Sequence, residues 1–385
     1  MVSIVSSILP IPPEFRFHKG KLQPSTVKAL SKIAQSPDKE IGIDVRLFAN
    51  FLYENKSILH SDPEASYMAV KALVIAGNLS AAMDWEEHRE HPGIKGFRAL
   101  AFLIAGKSDH AKQLFREALD SLKEAGEPFL ALEVLGLFMF LQTATRQREE
   151  ALDTFYQAME IYSSNPGQEA DAAIPWVLTR AAYALRAKGQ LDAAYKLNNQ
   201  ALSYADLSGN RLLQALSLLG IGMCFESSRN SEQAIDQYER ALDLFEEIGA
   251  DIFKPMLLNR MGMALGSQER IVEAEHIFED AVRIARESGA LWLEFGPLGN
   301  LAGIRGGQGN LEGALKAYIY AKDCAMRFGD LQDSMWFAIT IGNILQRLGR
   351  IQDAQKSFRE ARRLAEKLGF TIVFQEYENE SNSAH

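Results

Sequence analysis

Past residue 90 the apolar positions of this chain recur with a helical step, and one short pattern returns at a fixed distance. HAKQLFREAL (110–119), EALDTFYQAM (150–159), QAIDQYERAL (233–242), EAEHIFEDAV (273–282) and DAQKSFREAR (353–362) each carry alanine, an aromatic residue four places on, and alanine three further. Steps of four and three keep these residues on one face of a helix. There the two small side chains admit a neighbouring helix and the ring fills the space between. The first alanines are Ala111, Ala151, Ala194, Ala234, Ala274, Ala314 and Ala354, so the period is 40 residues with a single step of 43. GALKAYIYAK keeps the rule with Tyr318 and Ala321, whereas AAYKLNNQAL has Asn198 where the ring belongs and alanine again at Ala201.

A second pattern precedes each first alanine by twelve residues. Ala99, Met139, Ala182, Gly222, Gly262, Ala302 and Gly342 stand there, mostly small, and apolar residues such as Leu135, Leu178, Leu218, Leu258 and Leu298 lie four places earlier. Fifteen residues after the alanines come Gly126, Gly209, Gly249, Gly289, Gly329 and Gly369, with Pro166 and Gly167 in the second unit. Glycine suits the end of a helix because it accepts the left-handed conformation found just past the last turn. Each unit therefore predicts helix A, a short turn such as KGQ or LGR, helix B and a glycine stop.

The order Leu, small, Ala, aromatic, Ala resembles the tetratricopeptide repeat, and the resemblance runs from about Pro92 to Phe374 in seven copies. The units are longer than the usual length of about 34 residues and lack the proline expected after helix B. In this they look like the repeats of kinesin light chains, of maltose-regulator-type bacterial activators and of Rap-type peptide-sensing regulators. The implied fold class is all-α, a right-handed α-solenoid of tetratricopeptide-like helical hairpins. The expected organisation is an N-terminal tail and helical segment (1–62), a degenerate capping hairpin (63–91), seven repeats (92–374) and a polar tail (375–385). Within it, AGNLSAAMDWEEHREH (76–91) is expected to form helix B of the cap, and residues 24–55 two further helices. The third repeat is expected to open at Pro175, in the first turn of its helix A.

The resemblance also implies that A helices line a concave groove. Carried onto this sequence, its groove positions fall on Trp176, Thr179, Arg180, Tyr183 and Arg186, on Leu216, Leu219, Met223 and Glu226, and on Met256, Asn259, Arg260 and Met263. The sixth repeat adds Asn300, and the last adds Trp336, Ile339, Thr340, Asn343, Gln346 and Arg347. Four arginines against one glutamate make this surface locally cationic. A guanidinium suits a carboxylate because its planar fork can bind both oxygens. The amides can donate to and accept from a peptide backbone. Trp176, Arg180, Tyr183, Arg186, Asn259, Arg260, Met263, Asn300, Trp336, Asn343 and Arg347 are therefore candidate ligand contacts.

One stretch tests this register. EFGPLGNLAGIRGGQGN (294–310) resembles a phosphate loop in composition, yet Leu298 and Ala302 hold it in phase as helix A of the sixth repeat, with the turn at Gly309. Gly296, Gly299, Gly303, Gly306 and Gly307 then fall on groove positions. Each costs about 0.5–1 kcal/mol relative to alanine in a helix interior. Either the superhelix bends too tightly there for side chains, or a bound peptide or the chain's own apolar N-terminus lies against bare backbone. Gly299 and Gly303 join the candidate contacts on the second account.

Composition narrows the partner. A total of 41 Lys and Arg against 50 Asp and Glu gives a net charge of −9, and no basic cluster tracks a phosphate backbone, so nucleic acid is not the expected partner. PSTVKALSKIAQ (24–35) offers only Lys28 and Lys32 to DNA. Cys224 and Cys324 form no CxxC pair and point to buried thiols in a reducing compartment. The apolar start MVSIVSSILPIPPEF has no basic leader region or small-residue cleavage site, and no apolar run approaches the length of a bilayer span, so a cytoplasmic, non-membrane protein is expected. In WEEHREHP, Glu87, His88 and His91 stand at metal-compatible spacings without the HExxH order, and a solvated face is expected there. No P-loop, nucleophile elbow or cofactor motif is present, so no cofactor and no enzymatic activity are expected.

The expected function is a non-enzymatic adaptor or regulator that binds an extended peptide segment, acidic or ending in a free carboxylate, in the groove. An alternative is a sensor in which a short peptide or small anion changes the superhelix and acts through N-terminal helices. A third is a structural subunit of a larger assembly.

Overall fold

The computed structural model describes residues 63–85 and 91–370, with positions 17–18, 21–22, 49, 52–53 and 56 upstream. Phe17–His18 (β1) and Lys21–Leu22 (β2) pair antiparallel, Phe17 opposite Leu22. All else of regular structure among the described residues is helical. A pair of helices, α1 (Pro63–Ile75) and α2 (Leu79–Met83), precedes seven hairpins. These are α3 (Pro92–Ile104) with α4 (Ser108–Ala125), α5 (Pro128–Ala144) with α6 (Arg148–Ser164), and α7 (Gln168–Ala187) with α8 (Leu191–Ser208). Then come α9 (Arg211–Ser227) with α10 (Ser231–Ile248), and α11 (Lys254–Ser267) with α12 (Ile271–Glu287), a short 3-10 turn (Asp251–Phe253) leading into α11. The array ends with α13 (Leu291–Gly307) and α14 (Leu311–Phe328), then α15 (Leu331–Arg347) and α16 (Ile351–Leu368).

The repeating residues explain the packing. The seven first alanines and the seven that follow them, Ala118 to Ala361, are each at most 1% exposed. The small residue of helix A has a direct partner in helix B. A Cβ at Gly262 would lie 2.6 Å from Phe278, and Gly222 and Gly342 face Tyr238 and Phe358 in the same way. Asn198 breaks the rule: it is buried against Gly220 and donates from Nδ2 to Cys224 Sγ at 3.7 Å. Both cysteines are buried, and burial raises their thiol pKa, that of Cys324 to about 11 with help from Glu294.

Helix ends follow the glycines only in part. Gly126, Gly209, Gly249, Gly329 and Gly369 cap helix B in the left-handed conformation, but α6 stops at Ser164, and Gly167 instead precedes α7. The turn between A and B also needs one left-handed residue. Gly106, Gly189, Gly309 and Gly349 supply it in four hairpins, whereas Arg146, Arg229 and Glu269 take it in the other three.

Three expectations need correcting. Pro175 is interior to α7, which begins at Gln168; the residues before it extend the helix instead of forming a loop. The capping helix is short, because α2 ends at Met83 and Trp85 is buried behind it. His91 is not on a solvated face: it precedes α3 and stacks on Tyr67 with ring centroids 5.0 Å apart, and burial lowers its pKa. Glu87, His88 and Glu90 lie outside the described residues, as do the helices expected over 24–55 apart from positions 49, 52 and 53.

The solenoid completes a turn and meets itself. Phe140 of α5 packs edge-on against Trp292 of α13, their centroids 5.1 Å apart. Arg146, in the α5–α6 turn, reaches Asp330 at 3.2 Å and Asp333 at 2.9 Å, at the start of α15. Further out, Gly77 between α1 and α2 lies against Ser288 and Ile252.

Candidate ligand groove

The closure turns the concave groove into a cavity of about 540 Å³, walled by the A helices α5, α7, α9, α11, α13 and α15. Eight of the thirteen candidate contacts line it: Arg180, Tyr183, Asn259, Arg260, Met263, Gly299, Asn300 and Trp336. Trp336 is 45% exposed, unusual for so large an apolar side chain, and so available to an occupant. Asn300 donates from Nδ2 to Asn259 Oδ1 at 2.9 Å, which leaves the remaining amide groups of the pair free to face the cavity.

The other five candidates are placed elsewhere. Trp176 turns into the core, where Gly136 lets α5 approach it; a Cβ on that glycine would come within 2.6 Å of Trp176 Cβ. Arg186 lies over the Tyr183 ring, donates to Ser227 Oγ at 3.1 Å, and lines a small recess beside the cavity. Gly303 faces Tyr318 of its own hairpin; Asn343 and Arg347 lie further along α15, outside the cavity lining. The five glycines of α13 therefore do not share one role. Gly296 and Gly299 line the cavity, and Gly299 also makes room for Phe337, whereas Gly306 packs on Ala314.

Charges in the cavity fall into two kinds. Arg260 pairs with Glu226 at 3.3 Å, and Glu226 also accepts from the Tyr238 hydroxyl at 2.7 Å. Burial pulls the Arg260 pKa down, but Glu226 together with Tyr183 and Tyr238 outweighs it, and the pKa lies above the ordinary value. The same balance holds for Arg146 between its two aspartates. Asp333 responds in the other sense: burial and then Asp330 raise its carboxyl pKa. Arg180 differs from both arginines. It is 6% exposed, its guanidinium lies 4.8 Å from the centroid of Phe140, and among the described residues it makes no ion pair or hydrogen bond. Burial lowers its pKa to about 10.

Phe140, Thr143 and Ala144 belong to the groove through the same positional rule applied to the second repeat. Arg146, Trp292, Asp330 and Asp333 enter only because the array closes on itself. Among the described residues no cluster of three or more His, Cys, Asp or Glu could hold a metal, and no helix is long and apolar enough to cross a membrane.

Residues 171–247, covering α7 to α10, match the tetratricopeptide repeat family model. The chain is a tetratricopeptide-type solenoid. No curated protein matches its sequence. Among solved structures, this solenoid is similar to a Rap protein complexed with competence and sporulation factor, at 13% identity and a TM-score of 0.59, over 90% of this chain and 98% of that one. It is also similar to the APC/C hetero-tetramer Cut9–Hcn1, at 11% identity and a TM-score of 0.55, over 84% of this chain and 58% of that one. At these identities the likeness is one of fold.

Proposed function

We propose that this solenoid is a non-enzymatic interaction module that binds an extended peptide segment in its closed groove, and that the segment carries a carboxylate. The observation that carries the reading is the cavity: aromatic, methionine and amide side chains converge on one concave space with an excess of arginine, in a chain whose overall charge is −9. Arg146, Arg148, Arg180 and Arg260 face it, opposed within the lining by Asp330 and Asp333, with Glu226 behind Arg260. Fit to a peptide rests on the exposed Trp336 and on the Asn259–Asn300 pair, which offers backbone-like hydrogen bonding. The complex of the similarly folded Rap protein with competence and sporulation factor supports the same kind of use.

The test is selection of immobilised protein against a random heptapeptide library with free carboxyl termini. The wild type should enrich sequences that the double variant N259A/W336A no longer captures, with helicity unchanged by circular dichroism. Failure of the wild type to enrich any sequence over blocked resin overturns the reading.

A second reading is a sensor, and the contact of Gly77 with Ser288 and Ile252 favours it. An occupant that changes the superhelical pitch would move the α1–α2 pair relative to α12, coupling the groove to the N-terminal end. Scattering on the protein with and without an enriched peptide tests this: a change in radius is expected, and an unchanged profile counts against it.

A further inference from the structure

The cavity holds several arginines, but they are not equivalent, and the difference deepens the reading above, on which it rests. Arg146 and Arg260 are each matched by carboxylates of the protein itself. Arg180 is matched by none among the described residues. Its surroundings are Phe140, Tyr183, Met223 and Met256, and its side chain borders both the main cavity and the recess beside it. That recess, about 20 Å³, exists where Asn198 replaces the aromatic of the other repeats, and Asn198 Oδ1 also lacks a partner.

A buried cation of this kind is costly. Removing a guanidinium from water carries a large penalty, and a ring beneath it returns only part of that. The cation–π contact with Phe140 therefore does not offset the burial. A carboxylate arriving from outside would, because the pair forms in low-dielectric surroundings and can be bidentate.

We infer that Arg180 is the anchor of the groove: it takes a single carboxylate of the bound peptide, seated over Phe140 beside Met223 and Met256, while Arg146 and Arg260 shape the wall. The carboxylate is that of a chain end or of an acidic side chain, and the chemistry at Arg180 is the same for both.

The experiment uses full-length protein and two heptapeptide libraries, one with free carboxyl termini and one amidated. Wild-type protein is expected to enrich peptides whose capture falls at least about 30-fold with R180M, the loss expected when one partner of a buried charge pair is removed. R180K should recover part of it. Enrichment lost on amidation assigns the carboxylate to the chain end; Asp or Glu enriched from both libraries assigns it to a side chain. Enriched peptides that carry neither, or that R180M captures equally well, overturn the inference and leave the groove reading standing. Empty selections on the wild type remove the groove reading and this inference with it.

Thermal melting adds a readout with a definite sign. R180M keeps the length and apolar packing over Phe140 but loses the uncompensated charge, so its Tm should rise, as for a residue held for binding and not for stability. A lower Tm would make Arg180 a structural member and overturn the inference.

Discussion

Arg180 and Arg260 stand two hairpins apart on the walls of one cavity, and they differ in what neutralises them. Arg260 is built into a network in which Glu226 receives both the guanidinium and the Tyr238 hydroxyl. Arg180 has a ring beneath it and no carboxylate among the described residues. The same residue type thus serves as wall material in one place and as an open valence in the other. A count of arginines on a groove face does not separate the two; only their partners do.

Replacing Arg260 makes the sharpest test of that contrast. R260M strands Glu226, about a fifth exposed, beside Tyr238, and should cost about 2 kcal/mol in denaturant unfolding. An equal loss on R180M would erase the distinction. Next in size, the double variant R260M/E226Q removes both charges while leaving the Tyr238 hydroxyl an acceptor, and its stability should return to within about 1 kcal/mol of wild type. If it remains as unstable as R260M, the pair is not what holds Arg260 in place.

The closure gives a smaller effect on stability than on shape. R146A should cost under about 1 kcal/mol, since the pair with Asp330 and Asp333 is partly exposed, yet it should widen the superhelix, seen as a larger radius of gyration. An unchanged radius would mean that the Phe140–Trp292 contact closes the groove alone. The smallest change is expected for D333N. The Asp333 pKa is raised in the folded protein, so its carboxyl favours folding when protonated, below the unfolded pKa near 4. That contribution is lost as pH rises through the folded value. D333N should therefore melt slightly above wild type at neutral pH, with the difference vanishing below about pH 4. A melting temperature lowered at pH 7 would show that the ion pair with Arg146 outweighs the burial.

The hairpins were legible in the sequence because their packing is local: Gly222, Gly262 and Gly342 of helix A face Tyr238, Phe278 and Phe358 of the same unit, and a 40-residue period repeats the lesson. Pro175 misled because a proline can sit inside a helix when the preceding turn has helix-forming residues, here Gln168 to Ile174. Trp176 misled for a different reason. Its position in the unit is right for a groove, but Gly136 in the preceding A helix lets the two helices come close enough to bury it. The cavity was partly legible, through the positions that carry Asn259, Arg260 and Trp336. Its closure was not, since the contact between Phe140 and Trp292 depends on the pitch summed over four hairpins, and no window of sequence contains that sum.

The meeting of Arg146 with Asp330 and Asp333 has a consequence for how such an array can change over time. An open solenoid tolerates the gain or loss of a unit, because each hairpin needs only its neighbours. Here one more hairpin between α6 and α15 would carry the two aspartates a full step past the arginine that receives them, and one fewer would leave them short. Duplication and deletion of units, the ordinary way in which repeat proteins lengthen, would open the ring. The clasp therefore fixes the number of hairpins between its halves, and that segment of the chain can vary by substitution but not by copy.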